Sequence, residues 1–237
     1  MPDLFALLPA LEGSHPLLTG QRIALIGVSV LLRDDDAWYF EVQRPRYWAR
    51  RPDGVLSVGI GGIGGGLHAG EDVLGALRRE VREELGVDLA LEVPPHTVLL
   101  HEWRVAGYLE VPSGLPEPEA CPYIVNLLPP QLGGSEMPDA LAIVTFLGRP
   151  LGRPRRGDLF GLLTVTPGAL SEFLDASEWP LEAVQAHPGL GLDLASELPP
   201  DCVLRPVLTA RAFRVVWGGG RGPAASESGE DRFASGE

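Results

Sequence analysis

Three carboxylates stand at a spacing that brings them together. Glu80, Glu83 and Glu84 fall at i, i+3 and i+4, so on a helix they project within roughly 100° of one another. Like charges this close cost helix stability. One reading is a solvated face softened by Arg78, Arg79 and Arg82. The other is a hard-cation site, because clustered carboxylates supply the oxygen ligands that Mg²⁺ or Mn²⁺ prefers and leave room for water and a substrate phosphate. The glycine-dense run from Gly59 to Gly66 lies just upstream and offers backbone carbonyls to the same site. Arg79 precedes Glu83 by four residues, a spacing at which an ion pair holds the carboxylate in one rotamer. All 19 basic residues are arginine, so any grip on phosphate comes from arginine, a metal or backbone N–H.

The element that must carry these groups is a helix over Asp72 to Leu85. Leu74, Leu77, Val81 and Leu85 recur on one arc, Asp72 is a candidate N-cap, and Gly86 is the stop. Before it, strands are predicted at Arg22 to Leu32, Trp38 to Arg44 and Val55 to Val58, with Asp34 to Asp36 as a hairpin tip. After it, strands are predicted within Thr97 to Glu110 and at Tyr123 to Leu128, Leu141 to Leu147 and Leu159 to Val165. A helix is expected near Ala169 to Leu174 and a last amphipathic helix at Pro206 to Trp217.

The full spacing is Gly65, five residues, Glu71, seven residues, then Arg79-Glu80-Val81-Arg82-Glu83-Glu84-Leu85-Gly86-Val87. This matches the signature of the Nudix hydrolase family, MutT-like, without a departure, and the chain resembles that family most specifically from Gly65 to Val87. The resemblance implies an α/β/α sandwich with a mixed β-sheet. It also implies roles: Glu80, Glu83 and Glu84, with the Gly65 carbonyl, as ligands of divalent cations, and Arg79 and Glu71 as braces. The implied chemistry is hydrolysis of a diphosphate linkage, in which a divalent cation neutralises phosphate oxygens and acidifies the attacking water. Asp158, just before a predicted strand, is the candidate proton acceptor, with Glu136 and Asp139 as competitors. The expected substrate is a nucleoside diphosphate derivative. Tyr47, Trp48 and Trp103 are candidates to stack on its base, and Arg44 and Arg46 to face its phosphates. Two rival readings accompany this one: a Nudix-fold binding module without turnover, and an isopentenyl-diphosphate isomerase that would use Cys121. The unbroken spacing argues against both.

Other motifs are weaker. Gly59-x-Gly61-x-x-Gly64 has the form of a dinucleotide fingerprint, yet the helix begins about eight residues too late and no βαβ crossover follows. A chain without lysine cannot complete a phosphate loop.

Composition sets the remaining bounds. The 237 residues are 45% hydrophobic and 22% charged, as in a globular protein able to bury a core. The longest apolar run is too short for a membrane span. A formal charge of −13 opposes binding to nucleic acid or an anionic membrane surface. Two cysteines make neither a disulfide framework nor a zinc site, and the expected compartment is the cytoplasm. The expected organisation is an N-terminal arm over residues 1–20, the Nudix domain over 21–176, a helical extension packed on it over 177–217, and a disordered tail over 218–237. A homodimer is left open as an assembly.

Overall fold

The computed structural model describes residues 1–110, 121–130 and 137–219. The arm carries a single turn of helix, α1 (Leu4–Leu7), capped by the Asp3 carboxylate, which accepts the N–H groups of Phe5 and Ala6. Strands β1 (Ile23–Arg33) and β2 (Trp38–Val42) follow, with the short β3 (Ala49–Arg50) and then β4 (Leu56–Gly61) and β5 (Ile63–Gly65). The glycine-dense run is therefore strand, not a turn opening a helix, which removes the dinucleotide reading. Helix α2 (Val73–Leu85) starts at its Asp72 cap and ends at Gly86, whose φ of +66° is the left-handed stop that glycine adopts freely. Next come β6 (Asp88–Glu92), β7 (Thr97–His101), β8 (Arg104–Leu109), β9 (Ile124–Leu128), β10 (Ala140–Leu151) and β11 (Gly161–Val165). The chain closes with α3 (Leu170–Asp175), β12 (Trp179–Pro180), α4 (Leu181–Ala186), β13 (Leu190–Leu194), β14 (Cys202–Pro206) and α5 (Leu208–Gly218).

The main path of the sheet runs β12-β14-β4-β2-β1-β10-β9-β7-β8, and it is mixed: β1 lies parallel to β10 and β14 parallel to β4, while most other pairs are antiparallel. Helices cover both faces. Val73, Ala76, Leu77, Val81 and Leu85 of α2 pack with Val28, Val30 and Leu32 of β1, and the arm adds Leu4, Leu11 and Leu18 to that layer. On the other face Phe173 of α3 and Phe213 of α5 pack against Leu31, Phe40 and Val58. Alternate residues of β1 thus serve opposite layers, as the pleat requires.

The helical extension expected over 177–217 is corrected by the structure, which makes it half strand. β13 pairs with β11, and β14 adds to the sheet beside β4. These runs are only five residues long and broken by glycine or proline, too short for their period of two to stand out. From residue 220 onward the expected tail lies outside the described residues.

Candidate active site

The amino end of the site is the β5 strand against α2. A side chain at Gly65 would strike Glu80, since a Cβ built there lies 2.5 Å from Glu80 Oε1. Glycine is what allows this approach. Glu84 is 8% exposed, and its Oε2 accepts the Gly64 N–H at 3.0 Å. Arg79 binds four partners at once. Its Nε and Nη2 donate to the two oxygens of Glu71 at 2.9 and 3.0 Å, its Nη1 to Glu80 at 2.7 Å and Glu83 at 3.3 Å, and Nη2 also to the Gly66 carbonyl at 3.1 Å. Such a planar fork suits paired carboxylates in a way a lysine does not. Arg79 and the His68 N–H hold the Glu71 carboxyl down to about 2.

The carboxyl end of α2 is tied to the segment that carries Asp158. The last carbonyls of a helix lack partners within it. Here Glu83, Glu84 and Leu85 are met by the N–H groups of Asp158, Gly157 and Arg155 at 3.1, 2.7 and 3.1 Å. Asp158 is placed by these bonds and by Arg44, whose Nη2 reaches the Asp158 carbonyl at 2.8 Å and its carboxylate at 3.5 Å.

These groups border one cleft of about 560 Å³, whose lining includes Glu41, Glu80, Glu84, Asp158 and Gly65 together with Arg44, Arg46 and Tyr47. Glu41 is the residue the sequence reading missed. It sits on β2 as the one charged residue in Trp38–Val42, and that isolation in an apolar strand was the available signal. Burial pushes its carboxyl up to about 7, with Glu80 and Asp158 adding and Arg44 opposing. Burial, then the charge of Glu41, pushes Glu84 up to about 9 against the pull of the Gly64 N–H. Burial, and after it the charge of neighbouring carboxylates, make Glu41 and Glu84 hold their protons to higher pH than free carboxyls do.

The other candidates fall differently. Glu83 is half-exposed, held by Arg79, and does not line the cleft. Tyr47 lines it, but Trp48 turns inward, edge-on to Phe160 at 5.3 Å with its indole N–H on the Gln43 carbonyl. Trp103 lies under Arg211, 4.3 Å from its guanidinium, away from the cleft. Asp139 accepts the Arg22 N–H and is outside the cleft, and Cys121 is buried elsewhere. Glu136 lies outside the described residues.

Among the described residues no three His, Cys, Asp or Glu side chains already stand close enough to grip one ion, and Arg79 occupies Glu80 and Glu83. The donor set nonetheless fits a hard divalent cation: all oxygen, mostly carboxylate, and carrying crowded negative charge that such an ion relieves. No described helix is long and apolar enough to cross a membrane.

Comparison with known proteins gives a family match over part of the chain. The family model of the NUDIX domain matches residues 24–131, ending before Asp158 and α5. No curated protein matches the sequence. Among solved structures, the chain is similar to a NUDIX hydrolase from Nitrosomonas europaea at 18% identity and a TM-score of 0.32, covering 57% of this chain and 65% of that one. It is similar to the E. coli ORF135 protein at 16% identity and a TM-score of 0.35, covering 65% and 79%. A MutT NUDIX hydrolase from Burkholderia pseudomallei gives 20% identity and a TM-score of 0.27, covering 57% and 74%. What the comparisons show is a match of residues 24–131 to the NUDIX domain.

Proposed function

We propose that the cleft is the active site of a Mg²⁺- or Mn²⁺-dependent pyrophosphohydrolase acting on a nucleoside diphosphate derivative. The observation that carries this reading is convergence: carboxylates from β2, α2 and the 155–158 segment meet beside the Gly65 backbone in one cleft that also holds two arginines. Glu80, Glu84 and the Gly65 carbonyl, with Glu83 released from Arg79, would hold the cation, and Glu41 and Asp158 extend the donor wall. A bound divalent cation would neutralise diphosphate oxygens and acidify a water beside them.

The chain's own residues do the rest. Arg79 keeps Glu71 and Glu80 in fixed rotamers, which spares the site reorganisation when the substrate arrives. Arg44 and Arg46 stand where a phosphate chain would enter and offset its charge. Asp158 and Glu41 are the carboxylates outside the helix that can take the proton of the attacking water. The Glu41 carboxyl, near 7, has the poise a general base needs at neutral pH.

The test is a screen of nucleoside diphosphate derivatives with Mg²⁺ or Mn²⁺, scored by released monophosphate and repeated in ¹⁸O-water. The expected outcome is cleavage within the diphosphate, with label on a phosphate oxygen of one product. Label on a sugar carbon, or turnover indifferent to chelation, overturns the reading. Tight binding without turnover across the screen would favour a binding module instead.

A further inference from the structure

We propose that a second pocket, between the end of α2 and the end of β10, binds a small phosphate anion. It measures about 390 Å³ and shares no lining residue with the cleft. Of the nine residues that line it, three are arginine (Arg153, Arg155 and Arg156), three are glycine and three are apolar, so its charges are all positive. The chain carries 32 acidic residues against 19 basic ones, and a concave site without a carboxylate runs against that composition.

The local sequence gathers the arginines. Gly152, at φ of +122°, turns the chain just past β10 in a conformation that residues with a side chain rarely adopt. Pro154 is buried with its φ fixed, and Arg153 and Arg155 on either side of it are left exposed along the pocket. Arg156 is already committed, with its Nε on the Asp193 carboxylate at 3.1 Å and its Nη1 on the Leu159 carbonyl at 3.2 Å. Among the described residues Arg153 and Arg155 make no ion pair or side-chain hydrogen bond. The usual service of arginine at a helix C-terminus is to meet the last carbonyls. Here backbone does that, since the N–H groups of Arg155, Gly157 and Asp158 hold the carbonyls of Leu85, Glu84 and Glu83. Two guanidiniums are therefore left over from the needs of the fold.

Their chemistry selects the occupant. Each is a planar fork of N–H donors that matches phosphate oxygens and stays charged at every physiological pH. A neutral ligand would leave both charges uncompensated. A long polyanion would meet the acidic remainder of a chain whose formal charge is −13. A compact phosphate anion takes both forks and stays inside the pocket. The same segment runs on through Gly157 to Asp158 in the cleft, so an anion gripping Arg153 and Arg155 fastens its clasp on the end of α2.

The experiment is isothermal titration of pyrophosphate into the full chain in EDTA at fixed ionic strength, where the metal-free carboxylates of the cleft repel the anion. Affinity should fall about 10-fold or more in the double variant Arg153→Gln/Arg155→Gln. It should stay within about twofold of wild type in Arg104→Gln/Arg205→Gln, which removes the same charge from exposed positions outside the pocket. Arg156 is kept, so its pair with Asp193 survives. Amide hydrogen exchange locates the anion: Arg155, Gly157 and Asp158 should slow when pyrophosphate is added. The start of α5 is tied to the cleft separately, with Thr209 Oγ1 2.7 Å from Ser29 Oγ, itself 3.0 Å from Thr145 Oγ1. The neighbouring Val207 amide, bound to the Ile60 carbonyl at 2.8 Å, should exchange as before. No binding, or equal weakening in the two double variants, overturns the site. So does loss of binding in Arg46→Gln with Arg153→Gln/Arg155→Gln unaffected, which puts the anion in the cleft. Citrate binding as tightly as pyrophosphate, or a short single-stranded RNA binding more tightly, overturns the ligand class. No turnover is read, so the outcome is independent of the activity proposed for the cleft.

Discussion

Glu84→Gln should make the metal-free protein more stable at neutral and alkaline pH. The Glu84 carboxyl is raised from 4.5 to about 9 in the fold, so between those values the unfolded chain releases its proton while the folded chain keeps it. Stability from this group is full below pH 4.5 and is lost as pH rises, at about 1.4 kcal/mol per unit. From pH 4.5 to 7 that is a loss of about 3 kcal/mol, or roughly 6–12 °C in melting temperature for a chain this size. Glutamine keeps the size and the oxygen that accepts the Gly64 N–H, so it removes the charge and little else. Melting should be followed by circular dichroism in EDTA from pH 5.5 to 8.5, where ordinary carboxylates are already ionised. Wild type should fall with pH and Glu84→Gln should be distinctly flatter. Adding Mg²⁺ should raise the melting temperature of wild type and do much less for the variant. Parallel slopes in EDTA would refute the claim that burial and the neighbouring carboxylates raise the Glu84 carboxyl.

Arg79→Lys should lower turnover about 10–100-fold while the melting temperature changes little, because a point charge cannot bind Glu71 and Glu80 together; activity near wild type would show that the brace is dispensable. Glu41→Gln should remove a limb near pH 7 from the kcat profile, since the Glu41 carboxyl is raised to about 7; an unchanged limb assigns it to another group. Gly157→Ala should cost about 1–3 kcal/mol of stability, because its Cβ would run into the Glu83 carbonyl, and equilibrium unfolding in urea measures it.

What the sequence disclosed was local. The α2 helix, its Asp72 cap and its Gly86 stop are written within consecutive residues, so period and caps sufficed. The same helix fixed Glu80 and Glu84 beside Gly65, because the glycine strand ends eight residues before it begins. Glu41 escaped because strand period says only that it faces opposite Phe40, and which face holds the cleft depends on where β2 lies in the sheet. Trp103, one of three stacking candidates, lies off the cleft for a related reason. Glu102 and Trp103 both have positive φ, so the β7–β8 hairpin turns tightly and aims the indole at Arg211. The strands of the C-terminal third find partners far away in sequence, and no short-range pattern specifies β14 beside β4.

The hydroxyl chain that joins Thr209 to Ser29 spans 180 positions of sequence, and the Ser29–Thr145 link spans 116. During synthesis the carboxylates of the cleft therefore have their strands and their helix well before α5, which brings Leu208 and Thr209 to the same lining, exists. Contacts of such separation form late, since chain closure must be met before they stabilise anything. A nascent or C-terminally clipped chain that lacks α5 would present the cleft open on the side that Leu208 and Thr209 close, with Ser29 deprived of its Thr209 partner.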